Sequence, residues 1–446
     1  MSEIGEAVYR QMLTRLGEAS PEPRLAATRR AAELLGDPHR AYPIIHVTGT
    51  NGKSSTSRMI ESLLRAHNLR TGLFTSPHLT RINERIMVDG EAISDETLAE
   101  NWADIQAVLG IVDAELEAAA QPRLTFFEVL AVLAFASFAD APVDVAVIEV
   151  GMGGEWDATN IADGQVAVVT PISLDHTARL GDTVAKIART KSGIVKPVST
   201  VVCAVQPPTA LVELERAAEL TESILSVQGL HFELVRTVLA VGGQSISVRG
   251  LAGHYDDVFL PLFGDHQAQN AAVALAAVES FIGGGDLALA ADVVAEGLGT
   301  AVSPGRLQVI GHDPTVLIDA AHNPAGAESL AEALLSYFSF SSVTLVLGIL
   351  ADKDAAGIIR ALDSVVDQVI VTQSHSERAT PAAQLGALAI ELLGEDRVQI
   401  KADLGKALRQ ARSMAGGQAN AAVVVTGSIT LLGEIIEQAE KEGWAV

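Results

Sequence analysis

His46-Val47-Thr48-Gly49-Thr50-Asn51-Gly52-Lys53-Ser54-Ser55 (residues 46–55) sets a glycine-rich loop between an apolar run and an amphipathic one. Tyr42 to Val47 reads as a buried strand, and Met59, Ile60, Leu63 and Leu64 recur at helical spacing beyond the loop. The loop therefore caps a helix N-terminus, where outward-pointing backbone N–H groups and the helix dipole suit a polyphosphate. Residues Gly49, Thr50, Asn51, Gly52, Lys53, Ser54 and Ser55 form this expected cradle. Lys53 is placed to reach β- and γ-phosphates, and the Ser54 hydroxyl to sit on Mg²⁺. The spacing Gly-x-x-Gly-Lys-Ser is shorter than the usual Gly-x-x-x-x-Gly-Lys-Ser. A glycine turn with a solvated lysine is the plainer alternative, and the strand–loop–helix context argues against it.

The 446 residues exceed one ordinary core and indicate two or three domains. With 48% hydrophobic and 19% charged residues the chain is globular, with little room for long disorder. Its net charge of −24 argues against a nucleic-acid surface, so an anionic ligand must be held by a few local cations and backbone amides. The single cysteine, Cys203, excludes an intramolecular disulfide and any multi-cysteine metal site, and reads as a core residue. The start Met-Ser-Glu-Ile-Gly-Glu has no basic-then-apolar order, and the longest apolar run, Val129 to Ala139, is too short to span a bilayer. A cytoplasmic, monomeric enzyme with no membrane partner is expected.

Helical patterns alternate with short apolar strands over residues 1–300, including Leu73-Phe74, Val143 to Ile148, Val166 to Val169 and Val198 to Val202. Between His231 and Gly264 the texture turns β-rich, with turn residues at Gly242-Gly243 and Gly250, which predicts a small antiparallel insertion. A helix is expected from about His266 to Phe281, ended by Gly283-Gly284-Gly285. Beyond Ser303-Pro304-Gly305, strands at Thr315 to Ile318, Val343 to Leu347, Gln368 to Thr372, Val398 to Ile400 and Ala422 to Val425 alternate with helices. The fold class is thus α/β: a P-loop-type N-terminal domain over 1–300 and a Rossmann-like doubly wound domain over 301–446.

Two further segments end strands with polar groups. Val145-Ala146-Val147-Ile148-Glu149 closes an apolar strand on a carboxylate, which is costly there unless paired or bound to metal. In an open α/β sheet the carboxyl ends of the strands form the ligand crevice, so Glu149 is a Mg²⁺ ligand or a salt-bridged structural residue. Thr170-Pro171-Ile172-Ser173-Leu174-Asp175-His176 follows the next strand, although Mg²⁺ prefers oxygen to histidine nitrogen.

These residues, with Thr75-Ser76-Pro77-His78-Leu79, Asn83-Glu84-Arg85-Ile86, Leu124-Thr125-Phe126-Phe127-Glu128, Asp157-Ala158-Thr159-Asn160, His266-Gln267, Pro304-Gly305-Arg306-Leu307 and Asp319-Ala320-Ala321-His322-Asn323-Pro324, occur in one order along the chain. The set resembles the folylpolyglutamate synthase/dihydrofolate synthase family of the Mur ligase superfamily. The resemblance runs from about residue 36 to residue 434 and implies an ATP-dependent ligase that joins a folate or dihydropteroate carboxylate to L-glutamate through an acyl phosphate. It implies that Ser76, Glu149 and His176 serve two Mg²⁺ ions, and that Arg306 meets the phosphates. Asn270 and Asp319 would then contact adenine and ribose, and Lys191 matches the lysine that this family carbamylates. For the folate pocket it points to Thr125, Phe126 and Asp157, and for glutamate to His322, Arg378 and Ser428. Plainer roles stand beside these: a linker salt bridge for Arg306, a helix-surface amide for Asn270, a strand-end cap for Asp319, core packing for Phe126 and a pair with Glu377 for Arg378.

Glu155, Thr190 and Ser303 depart from the family's usual arginine, glutamate and tryptophan; Glu155 and Ser303 remove no expected phosphate or metal ligand, and Thr190 leaves Lys191 in place. The motifs leave open whether dihydrofolate is made, polyglutamate extended, or both. A Mur-type ligase acting on a UDP-linked precursor is the nearest rival, but only 48 residues precede Gly49, too few for a nucleotide-sugar domain of ordinary size. A P-loop nucleotide switch is the rival from another class.

Overall fold

The computed structural model describes residues 2–17 and 22–444. The chain forms two compact units, one of residues 1–240, 244–261 and 267–302, the other of 241–243, 262–266 and 303–446.

In the first unit eight strands form one sheet in the order Glu91–Ala92, Ile86–Val88, Thr71–Phe74, Val145–Glu149, Ile44–Thr48, Val166–Val169, Thr200–Cys203 and Ile224–Val227. From Thr71–Phe74 onward every pairing is parallel, so the strands carry buried runs rather than alternation: Ile44–Thr48 and Val145–Glu149 are buried at every position. The expected strand at Val198 to Val202 starts instead at Thr200, because Val198 takes a left-handed φ of 61° in the turn after Pro197. The short strands at 86–88, 91–92 and 224–227 carry too few residues to show a period. Cys203 is buried in the core, and burial pushes its thiol up to about 12, leaving it inert.

Helix Phe126–Asp140 packs almost wholly inside this unit. Its N-terminus is held by a capping box in which the Thr125 hydroxyl accepts from the Glu128 amide and Glu128 accepts from the Thr125 amide. Arg24 closes the box with a bidentate pair to Glu128 at 2.9 and 3.0 Å. Among the described residues no helix is long and apolar enough to cross a membrane. The β-rich segment forms a three-stranded sheet of Glu233–Ala240, Gly243–Arg249 and His254–Leu260, the last two paired antiparallel. Helix Asp265–Gly283 follows it.

The second unit carries a six-stranded sheet in the order Gln308–Gly311, Thr315–Ile318, Ala421–Thr426, Ser342–Leu347, Gln368–Val371 and Val398–Ile400. Five strands are parallel, and Gln308–Gly311 adds an antiparallel edge that the sequence pattern does not announce. The mixed edge on a parallel sheet is a common doubly wound variant.

Candidate functional site

Strands Thr71–Phe74, Val145–Glu149, Ile44–Thr48 and Val166–Val169 are adjacent and parallel, so their carboxyl ends bring Ser76, Glu149, the Gly49–Ser55 loop and the Thr170–His176 segment to one edge. The loop can turn there only with glycine. Gly49 has φ 147°, and a Cβ on it would fall 1.8 Å from the Thr170 hydroxyl; Gly52 has φ 84°, and its Cβ would fall 2.7 Å from Asn270 Oδ1.

Helix Lys53–Ala66 starts directly at the loop, with Gly52 at its N-cap. One expectation is corrected here. The amides of Thr50 and Asn51 do not all face outward, since both donate to the Pro171 carbonyl, at 2.9 and 3.4 Å. The Thr50 hydroxyl in turn donates to Ser173 O and accepts from the Ser173 amide, both at 3.1 Å, so this half of the loop is fixed to the segment that carries His176. Lys53 Nζ folds over the loop and donates to Gly49 O at 3.2 Å and Thr50 O at 3.3 Å.

Glu149 is 1% exposed and joins two predicted neighbours. Its Oε1 accepts from the Ser54 hydroxyl at 2.9 Å, and its Oε2 from the Ser76 amide at 3.3 Å. A buried carboxylate joined to the Ser54 hydroxyl supplies oxygen donors of the kind Mg²⁺ takes. Among the described residues no cluster of three or more His, Cys, Asp or Glu side chains is present. Glu149 and Ser54 fit a cation that completes its shell with phosphates and water. His176 stands at φ 49° ahead of the short helix Thr177–Leu180, its ring a third exposed and 3.8 Å from the Asp175 carboxylate.

Lys191 is buried at the end of helix Val184–Lys191, and its Nζ donates to Gly49 O at 2.6 Å. Burial, and then the nearby Lys53 charge, bring its pKa down to about 7, against the opposing pull of Asp175 and Asp157. Close packing of the 151–155 turn on Thr190–Gly193 explains two glycines: a Cβ on Gly154 would lie 2.7 Å from Lys191 O, and one on Gly193 2.5 Å from Glu155 Cα. Glu155 itself is exposed.

Asn270 is buried on helix Asp265–Gly283 beside Gly52 rather than on the helix surface. Gln267, one turn earlier and 1% exposed, links Asn270 at 3.4 Å to the Ser55 hydroxyl at 3.3 Å. A buried polar pair at i, i+3 is the signal that could have singled out Gln267 as a support of the loop.

The residues expected around folate carry heavy structural duties. Thr125 is the cap described above, and Phe126 is 4% exposed in the core, with the Arg85 guanidinium 5.5 Å from its ring centroid. Asp157 is buried, accepts from the Met152 amide and from both the amide and hydroxyl of Thr159, and is pushed above the usual carboxylate range by burial.

In the second unit, Asp319, His322 and Ser428 gather at the carboxyl ends of Thr315–Ile318 and Ala421–Thr426, where the Thr426 hydroxyl donates to Asp319 O and the Gly427 amide to Ala321 O. Asp319 accepts from the Leu307 and Ala321 amides, each at 2.9 Å, which fixes the backbone on both sides of Arg306 together with the Ala320 amide on Gly305 O. His322 Nδ1 bonds Ala320 O, and Ser428 caps helix Ile429–Lys441 by accepting from Leu431 N. Arg378 pairs with Asp352 at 2.8 Å, half-exposed, instead of with its neighbour Glu377. The half-buried His266 is held below its ordinary pKa by burial, with Asp319 and Arg306 acting on it in opposite directions.

Residues 47–278 match the Mur ligase middle domain, and residues 305–429 the Mur ligase, glutamate ligase domain. The dihydrofolate synthase/folylpolyglutamate synthase of Mycobacterium tuberculosis is 42% identical over 437 residues, covering 93% of this chain and 90% of that protein. The structure of M. tuberculosis folylpolyglutamate synthase complexed with ADP superposes with a TM-score of 0.94 at 40% identity, covering 98% of each chain. That of Escherichia coli FolC in complex with DHPP and ADP gives 0.86 at 30% identity, covering 99% of each.

Proposed function

Because the chain belongs to the folylpolyglutamate synthase/dihydrofolate synthase family of Mur-type ligases, we propose that it uses ATP to join a folate or dihydropteroate carboxylate to the amino group of L-glutamate. The observation that carries the reading is the locked trio of Ser54, Glu149 and Ser76 beside Lys53 at the end of a phosphate loop. A carboxylate is a poor electrophile. Phosphoryl transfer from ATP turns it into an acyl phosphate, from which an amine can displace phosphate.

Ser54, Glu149 and Ser76, with His176 as a further candidate, would hold Mg²⁺, which would supply charge neutralisation for phosphoryl transfer. The chain's own residues do the rest. Lys53 leaves the Gly49 and Thr50 carbonyls to meet the terminal phosphates, and the N-terminus of helix Lys53–Ala66 holds the remaining negative charge. We assign Asn270, Arg306 and Asp319 to the nucleotide, Thr125, Phe126 and Asp157 to the acceptor, and His322, Arg378 and Ser428 to glutamate. These assignments are supported by the motif match and, for Asp319, His322 and Ser428, by positions at strand ends. We place the enzyme in the cytoplasm as a monomer.

ADP release from ATP and Mg²⁺ is expected to require both glutamate and a pteroate or folate. Release that is unchanged without either acceptor, or that depends on a UDP-sugar, refutes the reading. Mass analysis of products from dihydropteroate and tetrahydrofolate in parallel identifies the acceptor.

Lys191 supports a second expectation. An amine must be neutral to take up CO₂, and a pKa of about 7 makes Lys191 half-neutral at that pH. The neutral fraction climbs from about a tenth to about nine-tenths between one pH unit below and one above. Incorporation of isotope-labelled bicarbonate into Lys191 is therefore expected to rise over that window, accompanied by activation. Label that is absent throughout the window removes carbamylation from the mechanism.

A further inference from the structure

His46 lies on the strand Ile44–Thr48 that delivers the phosphate loop, and it is fully buried. Its Nε2 is 2.9 Å from the Thr159 hydroxyl, and that hydroxyl donates to Asp157 Oδ1 at 2.6 Å. A hydroxyl has one hydrogen, here spent on Asp157, so Nε2 must carry the proton and donate to Thr159. The His46 ring is neutral, since burial with Lys196 nearby lowers its pKa to about 3. Neutrality and an Nε2 proton together leave Nδ1 a bare acceptor, and among the described residues it has no hydrogen-bond partner.

That unpartnered nitrogen is informative. A valine or isoleucine would suit a strand buried at every position and would leave nothing unsatisfied, whereas histidine costs stability at Nδ1 and gains only its donor at Nε2. The donor orients Thr159 and, through it, Asp157. Oδ1 of Asp157 is saturated by the Thr159 amide at 3.0 Å and the Thr159 hydroxyl, while Oδ2 receives the Met152 amide at 2.9 Å and keeps acceptor capacity. Two residues along the same strand, the Thr48 hydroxyl donates to Gly153 O at 2.8 Å, so the strand grips the Asp157 turn at two points.

Resting on the assignment of Asp157 to the acceptor, we propose that His46 and Thr159 are positioning residues that fix the Asp157 carboxylate for acceptor binding. The strand that carries the phosphate loop thereby also sets the acceptor-binding carboxylate. Neither His46 nor Thr159 touches the substrate.

The test measures KM for dihydropteroate and for tetrahydrofolate, KM for ATP, and kcat in five variants. Thr159→Val exchanges a hydroxyl for a methyl at nearly constant volume, and is expected to raise acceptor KM about tenfold while ATP KM stays within about twofold. Thr159→Ser restores the hydroxyl and the wild-type acceptor KM. His46→Leu repeats the Thr159→Val pattern, and His46→Gln, which keeps an N–H at the ε position, recovers most of the loss. Equal rises in acceptor and ATP KM, or an unchanged acceptor KM in Thr159→Val, overturn the proposal. Asp157→Asn separates the two levels: if it leaves acceptor KM unchanged, the Asp157 assignment itself fails, and if it raises acceptor KM where Thr159→Val does not, the relay alone fails. Should His46→Leu not fold, the Thr159 pair decides.

Discussion

Lys53→Ala is expected to lower ligation turnover by about a hundred- to a thousandfold, the usual consequence of deleting one preorganised charge from a phosphoryl-transfer site. In the structure the Lys53 ammonium rests on two carbonyls of its own loop. The loop keeps its course through Gly49, Gly52 and the Thr50 bonds to Pro171 and Ser173. Folding should accordingly be intact, with a thermal melt close to the wild type. Loss of Lys53 also removes a positive neighbour of Lys191, whose pKa should rise toward its ordinary value, because that neighbour now helps to lower it. Retained turnover in Lys53→Ala sinks the phosphate-loop reading.

Glu149→Gln is the second large effect. The amide keeps the size of the side chain and a carbonyl oxygen near Ser54 or Ser76, and it relieves an almost fully buried group of its charge, so the strand end should still form. The formal charge on the donor set is lost. Turnover at fixed Mg²⁺ is expected to fall about a hundredfold, at the upper end of what metal-supporting residues show, and the Mg²⁺ needed for half-activity should rise. Raising Mg²⁺ should recover part of the loss. An unchanged Mg²⁺ dependence would return Glu149 to a structural role.

Much of the fold was legible because its signals are local. The long parallel strands are buried runs rich in β-branched residues, and the helix after the loop shows its period in Met59, Ile60, Leu63 and Leu64. The strands Ile86–Val88 and Ile224–Val227 escaped because they sit at or near sheet edges, half-exposed, without the continuous buried run of the central strands. Thr125 shows how one local pattern carries a second, structural meaning. Thr-x-x-Glu ahead of an apolar run is a capping box by pattern alone, and the hydrogen bonds between Thr125 and Glu128 are of that kind. Arg378 shows the opposite, since its partner Asp352 is 26 residues away and no spacing rule points to it.

By itself the sequence determined the phosphate loop, the α/β alternation and the family, because glycine requirements, residue periods and motif order are written along the chain. Only the tertiary structure decided which distant groups meet. Lys191 comes to Gly49 across 142 positions, Glu149 to Ser54 across 95, and His46 to Thr159 across 113. A hydrogen bond forms only where two polar atoms lie within about 3 Å in the right orientation. Side-chain periodicity records which face of an element is buried, while the partner met on that face depends on strand order and register.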